Sequence, residues 1–135
     1  MPYGLYSEFK SQNASVVSRG TAPVDLNGRG VYYAYLRDAD HLMLEVEQLD
    51  KPNFEGPIWI AHGALVTPDL DSLATFYQNL LGVSPYRRAD DVRGPRLDEV
   101  TGLDNVHIRA AWFNVGNMVL KLEDSIFNRD IHRLR

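Results

Sequence analysis

Apolar positions recur at helical spacing in two stretches and at alternate positions in several others. Leu5, Tyr6 and Phe9 suit one brief helix over 3–12, and the β-branched stretch 14–18 suits a strand after it. Leu70, Leu73, Ala74, Tyr77, Leu80 and Leu81 fall at offsets 0, 3, 4, 7, 10 and 11, which predicts a longer helix. Thr67 or Asp69 serves as its N-cap, Pro68 is tolerated at the start, and Gly82 is the C-cap. Between the helices, 20–30 has a loop composition, 31–37 reads as a tyrosine-rich strand, and Asp38-Ala39-Asp40 is a turn. The strand 41–48 alternates cleanly, with Leu42, Leu44 and Val46 on one face and His41, Met43, Glu45 and Glu47 on the other. In a further strand over 58–67, Ile58, Ile60, His62, Ala64 and Val66 share a face, a row interrupted by one histidine. A strand at 83–92, a helical turn at 97–102 and a hairpin of 106–115 with 118–123 around Gly116-Asn117 complete the pattern.

The stretch 49–57, with two prolines and a glycine, is the best linker, so the chain divides into modules at 1–49 and 58–126, a linker at 50–57 and a tail at 127–135. Sliding the chain by 76 residues lays Ala34, Leu36, Leu44 and Glu47 over Ala110, Trp112, Leu120 and Glu123 without a gap. The two hairpins therefore read as copies of one unit. The second copy reads strand, helix, strand, strand, strand, and the first lacks the opening strand, because a partner for His62 would fall before Met1.

Composition narrows the chemistry. The 135 residues carry 18 acids and 14 bases for a formal charge of −4, so no broad cationic surface favours nucleic acid. There is no cysteine, so disulfides, thiolate nucleophiles and cysteine metal sites are excluded, and a metal must use His, Asp, Glu or water. Apolar runs are only a few residues long, and Glu8 and Lys10 interrupt the opening segment, which leads us to expect a soluble cytoplasmic protein with no membrane partner. Gly28-Arg29-Gly30 is no dinucleotide fingerprint, since a strand follows it and no third glycine arrives in register.

The run from His62 through Thr67-Pro68-Asp69-Leu70-Asp71 to Phe76-Tyr77 and Leu80-Leu81-Gly82 resembles the opening strand and helix of a module of the vicinal oxygen chelate superfamily. Residues 37–46 look like the hairpin that closes such a module, where Pro usually stands at 39 and Gly at 41. The superfamily includes glyoxalase I, bleomycin resistance proteins and extradiol dioxygenases. The resemblance covers about 14–48 and 58–124 and implies an α+β fold of paired βαβββ modules enclosing a cup, the first module lacking its opening strand. It also implies a divalent metal (Fe, Mn, Ni or Zn), with His62 at the first-strand ligand position and Glu45 at the last-strand position of the other module. Lys121 stands where the second module would carry its own acid. The implied function is a dioxygenase or a glyoxalase-like lyase or isomerase acting on a small oxygenated or aromatic molecule, in a homodimer that completes a strand or cup across subunits. The alternative is a metal-free small-molecule-binding protein of the bleomycin-resistance type.

Each candidate also has a plainer role. His62 suits a metal ligand or a histidine bonded to a carbonyl on a concave sheet face. Glu45 beside Glu47 suits a ligand and catalytic acid, or a solvated pair. Lys121 could act in catalysis by neutralising an acid or gripping an anionic substrate, or it could form a surface ion pair. Tyr33, Tyr35, His107, Arg109 and Glu123 are candidates to line a substrate cup, with packing the other use of such residues. His41 and His132 receive no function.

Overall fold

The computed structural model describes residues 4–56 and 58–125, and the tail expected over 127–135, with His132, lies outside them. The fold is α+β, with two four-stranded, mostly antiparallel sheets. The chain divides into two compact units, 1–55 with 94–105, and 56–93 with 106–135.

The first unit contains α1 (Gly4–Ser11), β1 (Ser15–Val16), β2 (Val24–Asp25), β3 (Val31–Arg37) and β4 (Met43–Leu49). β3 is its spine. One edge pairs along its whole length with β4, and the other pairs with β1 near its C-terminal end and β2 nearer its start. The strand expected over 14–18 is thus only the first piece of a broken one, and its continuation, β2, falls inside the stretch read as loop. Alternation puts Ala34, Leu36 and Val46 inward, where they pack with the buried Tyr6 of α1 and with Phe9, Ala14 and Leu44. Burial raises the Tyr6 phenol above its ordinary pKa, because the phenolate would be poorly solvated there.

A later segment completes this unit. The helix α3 (Pro95–Thr101) packs against β2 and β3, although the sequence places 97–102 within the second module. Periodicity finds a helix but cannot say which sheet it covers. The reason is local: Ser18, in the gap between β1 and β2, donates to the Val100 carbonyl and accepts from the Tyr35 N–H at 2.7 Å. Arg19 N–H donates to Glu99 O at 2.8 Å. The helix ends at Gly102, which has φ +72° and where a Cβ would collide with the Val17 carbonyl oxygen, so only glycine fits.

The second unit runs β5 (Gly63–Val66), α2 (Leu70–Leu81), β6 (Arg87–Arg93), β7 (His107–Asn114) and β8 (Val119–Ser125). Its sheet order is β5-β8-β7-β6, with β5 parallel to β8 and the other pairs antiparallel. The α2 boundaries match the periodicity: the Asp69 carboxylate accepts from Ser72 N–H at 3.2 Å, and Gly82 caps in the left-handed region. Leu70 and Ala74 are buried with Ala111, Phe113 and Leu122, and Leu73 and Tyr77 pack around them. Leu80 remains exposed.

Two expectations change. The strand read over 58–67 forms only at 63–66: among the described residues β5 pairs with β8 alone, and β8 begins at Val119, the partner position just before Gly63↔Leu120. The ungapped 76-residue shift also fails between the hairpins. Five residues separate the last pair Arg37↔Met43, whereas four separate Asn114↔Val119. The strand β4 therefore maps onto β8 at 76, but β3 maps onto β7 at 77. Since a one-residue slip reverses every side chain, Ala34 corresponds to Ala111 and Leu36 to Phe113.

Candidate functional site

In the first unit, Tyr33 pairs with Glu47 and Tyr35 with Glu45, which puts these four side chains on the sheet face opposite the Tyr6 core. The Tyr35 hydroxyl donates to Glu45 Oε2 at 2.7 Å in a half-buried setting. The alternation of β3 and β4 alone produces this face, as the sequence pattern predicts. The bond holds the Glu45 carboxylate in one orientation, and a carboxylate retains further lone pairs for another partner.

In the second unit, His62 is half-buried and immediately precedes β5. Alternation carried back from Ala64 puts it on the side of Lys121, the partner of Ala64. Lys121 and Glu123 share that side of β8, with Trp112 and Ala110 opposite them on β7. Lys121 is 8% exposed, and its ammonium lies 2.9 Å from Glu123 Oε2 and 5.9 Å from the Trp112 ring centroid. The Arg87 guanidinium lies 4.3 Å from the same ring. This face combines a flat aromatic surface with fixed cations and one acid.

His107 and Arg109 do share a face, but it is the other one. Arg109 pairs with Asp124, in the same rows as Ala111–Leu122 and Phe113–Leu120, which pack against α2. The structure therefore does not bring these two together with Lys121 and Glu123. Arg109 instead forms a two-point bond to Asp124, Nε to Oδ1 at 3.1 Å and Nη2 to Oδ2 at 2.7 Å, and a third bond to Asp71 at 2.9 Å. These carboxylates raise the Arg109 pKa further above its already high value, Asp124 contributing most. Asp124 is fully buried and also accepts from the Leu70 N–H at the start of α2, at 3.0 Å. Asp91 Oδ1 lies 2.8 Å from His107 Nε2, yet that buried nitrogen has no partner in hydrogen-bonding direction.

Asp124 and Asp71 escaped the sequence reading. The signal was present: Asp124 continues the inward row Leu120, Leu122, and Arg109 begins the row Arg109, Ala111, Phe113. Matching one polar interruption to the other needs the hairpin register, which the gapless repeat misplaces by one residue.

Comparison of the chain with models of known protein families, with curated proteins and with solved structures found no match. No described helix is long and apolar enough to cross a membrane.

Proposed function

We propose that the chain is a vicinal oxygen chelate type of protein that holds a divalent cation through Glu45 and His62 and acts on a small oxygenated or aromatic molecule. The reaction would be that of an extradiol-type dioxygenase or of a glyoxalase-like lyase or isomerase. The observation that carries the reading is the Tyr35–Glu45 hydrogen bond, because a carboxylate oriented by an outer donor is how proteins prepare a metal ligand. The strand-helix-strand-strand-strand order around one sheet in the second unit supports it as well.

The donor types fit the group. Carboxylate oxygen and imidazole nitrogen suit Fe, Mn, Ni or Zn in the divalent state. Such a cation, when bound, polarises adjacent substrate oxygens as a Lewis acid. Tyr35 orients Glu45, and Glu47 adds negative charge on the same face. In the second unit, the Trp112 ring offers a stacking surface, and Lys121 with Glu123 fixes a charged pair beside it.

A second reading, a metal-free binding protein, is favoured by Lys121. It occupies in β8 the place that Glu45 occupies in β4, and an ammonium there opposes a metal cation.

Metal content decides between them. After loading with Mn(II) or Zn(II) and gel filtration, the full chain is expected to keep about one ion per molecule by mass spectrometry of the elements. Glu45→Gln and His62→Ala should each abolish retention, and Tyr35→Phe should weaken it by about 10–100-fold. A chain that retains no ion but binds aromatic ligands selects the second reading, and retention untouched by both ligand substitutions overturns the assignment of Glu45 and His62.

A further inference from the structure

The arginines of β6 and β7 are used in two different ways. Arg88 is bonded to Asp71 at 2.7 Å and to Asp90 at 3.2 Å, Arg93 to Asp91 at 3.0 Å, and Arg109 to Asp124 and Asp71. Arg87 is exposed and, among the described residues, has no carboxylate partner; its guanidinium lies instead on the Trp112 ring. The register fixes this stack, because Arg87 pairs directly with Trp112 and Tyr86 N–H donates to the Trp112 carbonyl at 2.9 Å. Stacking occupies the flat face of a guanidinium and restrains its rotamers. Its N–H edge stays open to bond a planar oxyanion at two points.

The surroundings favour an anion. Trp112 stands between cations on both neighbouring strands, Arg87 on β6 and Lys121 on β8. Lys121 is buried and bonded to Glu123, so those two charges offset each other and the Arg87 charge is left over. Two cations thus face one acid among the described residues of these rows, in a chain where acids outnumber bases 18 to 14. Two positions along β7, Asn114 shares this side of the strand. Its Oδ1 accepts from Gly116 N–H at 3.0 Å, which leaves the amide Nδ2 as a further donor.

We propose that Arg87, held flat on Trp112, is the anion-binding residue of the second unit, and that its ligand is an aromatic molecule bearing a carboxylate or phosphate. The half-buried indole beside the open guanidinium edge favours a planar body next to the oxyanion. This inference rests on the reading of the chain as a small-molecule-binding protein and adds the charge of that molecule. It moves the anion contact from Lys121 to Arg87 and does not depend on the metal.

The chain has two tryptophans, so nuclear magnetic resonance can follow the Trp112 indole N–H directly, with Trp112→Phe assigning its signal. The full chain, at low salt and with a chelator present, is titrated with benzoate, phenyl phosphate and neutral benzamide. Benzoate or phenyl phosphate should shift the Trp112 signal saturably, the tighter of the two naming the oxyanion, and benzamide should bind more than about tenfold more weakly. Arg87→Gln should weaken the anion by more than about tenfold, and Arg87→Lys should restore only part of the loss, because the charge returns without the two-point fork. Arg93→Gln should change nothing, since Arg93 pairs with His107 on the opposite face and is bonded to Asp91. The amide spectrum of each variant checks its fold. Benzamide binding as tightly as the anions, an affinity unchanged in Arg87→Gln, or no saturable shift of Trp112 would each overturn the inference. Ion retention is measured separately, so the two readings fail separately: Arg87-dependent binding in a chain that retains no ion upholds this inference while the metal reading falls.

Discussion

The hairpins β3–β4 and β7–β8 are the same device with different contents. Each has long antiparallel strands, one face against a helix and one face turned away from it. On the face away from the helix, Tyr35 opposite Glu45 corresponds to Trp112 opposite Lys121, so an aromatic donating to an acid is replaced by an aromatic beneath a cation. On the helix face, Tyr32 opposite Gln48 corresponds to Arg109 opposite Asp124, so a neutral pair is replaced by a buried ionic one. One backbone plan thus supports two charge patterns, and they differ on both faces of the sheet.

The buried pair gives the largest expected effect. Asp124→Ala leaves Arg109 without its two-point partner and Leu70 N–H without an acceptor, although Asp71 remains to Arg109. Loss of one member of a buried pair costs about 3 kcal/mol or more. Gln48→Ala at the corresponding place should cost under about 1 kcal/mol. Urea unfolding of the two variants measures the contrast. Equal losses would mean that Asp124 contributes no more than an ordinary polar residue. Replacing both members, Arg109→Met with Asp124→Leu, should recover most of the deficit, because no charge is then left unpaired.

A smaller effect separates two acids that are depressed for different reasons. Asp71 is held below the usual carboxylate range chiefly by Arg109 and then by Arg88. Asp25 is held down chiefly by the Gly30 N–H, with further N–H donors from Arg29, Asn27 and Gly28, against the opposing effect of burial. A folded-state value below the unfolded one contributes stability that is present above the unfolded value, about 3.9, and is lost as pH falls through the folded value. Acidification should therefore lower the melting temperature through both groups. Asp71 is exposed, so its contribution should fade in roughly 1 M salt, where charges are screened within about 3 Å. The Asp25 donors are uncharged backbone N–H groups rather than guanidinium ions, so its contribution should persist. Melting curves of Asp71→Asn and Asp25→Asn between neutral and acidic pH, at low and high salt, read both. Equal salt sensitivity would show that charge, not backbone donation, governs Asp25.

The same contrast explains what the sequence reveals. Features set by local alternation or helical spacing were legible: α2 with its Asp69 and Gly82 caps, the inward row Ala34 and Leu36, and the shared face of Tyr33, Tyr35, Glu45 and Glu47. Features set by a loop one residue shorter were not. The shift from 76 to 77 reassigns the β7 side chains, hides the Arg109–Asp124 pair and gives the ungapped repeat its false match of Leu36 to Trp112. Docking of α3 on the first unit was hidden too, because it depends on Ser18 and Gly102, two small residues without hydrophobic periodicity.

The smallest effect lies in the loops that create this difference. In the first hairpin, His41 sits at φ +65°, its N–H donating to Asp38 O at 3.0 Å, and Asp38 Oδ1 accepts from Asp40 and Leu42 N–H. In the second, Gly116 has φ +90°, and a Cβ there would meet nothing within 4 Å. Left-handed backbone costs a side-chain-bearing residue about 1–2 kcal/mol, part of which glycine gives back through its freer unfolded chain. His41→Gly should therefore raise stability by up to about 1 kcal/mol, and Gly116→Ala should lower it by about 1 kcal/mol through backbone strain alone. Thermal melts of the two variants should move in opposite directions. If His41→Gly leaves the melt unchanged, the carboxylate of Asp38 already dictates the five-residue turn whatever stands at 41, and the offset between the two hairpins would originate in that one acid.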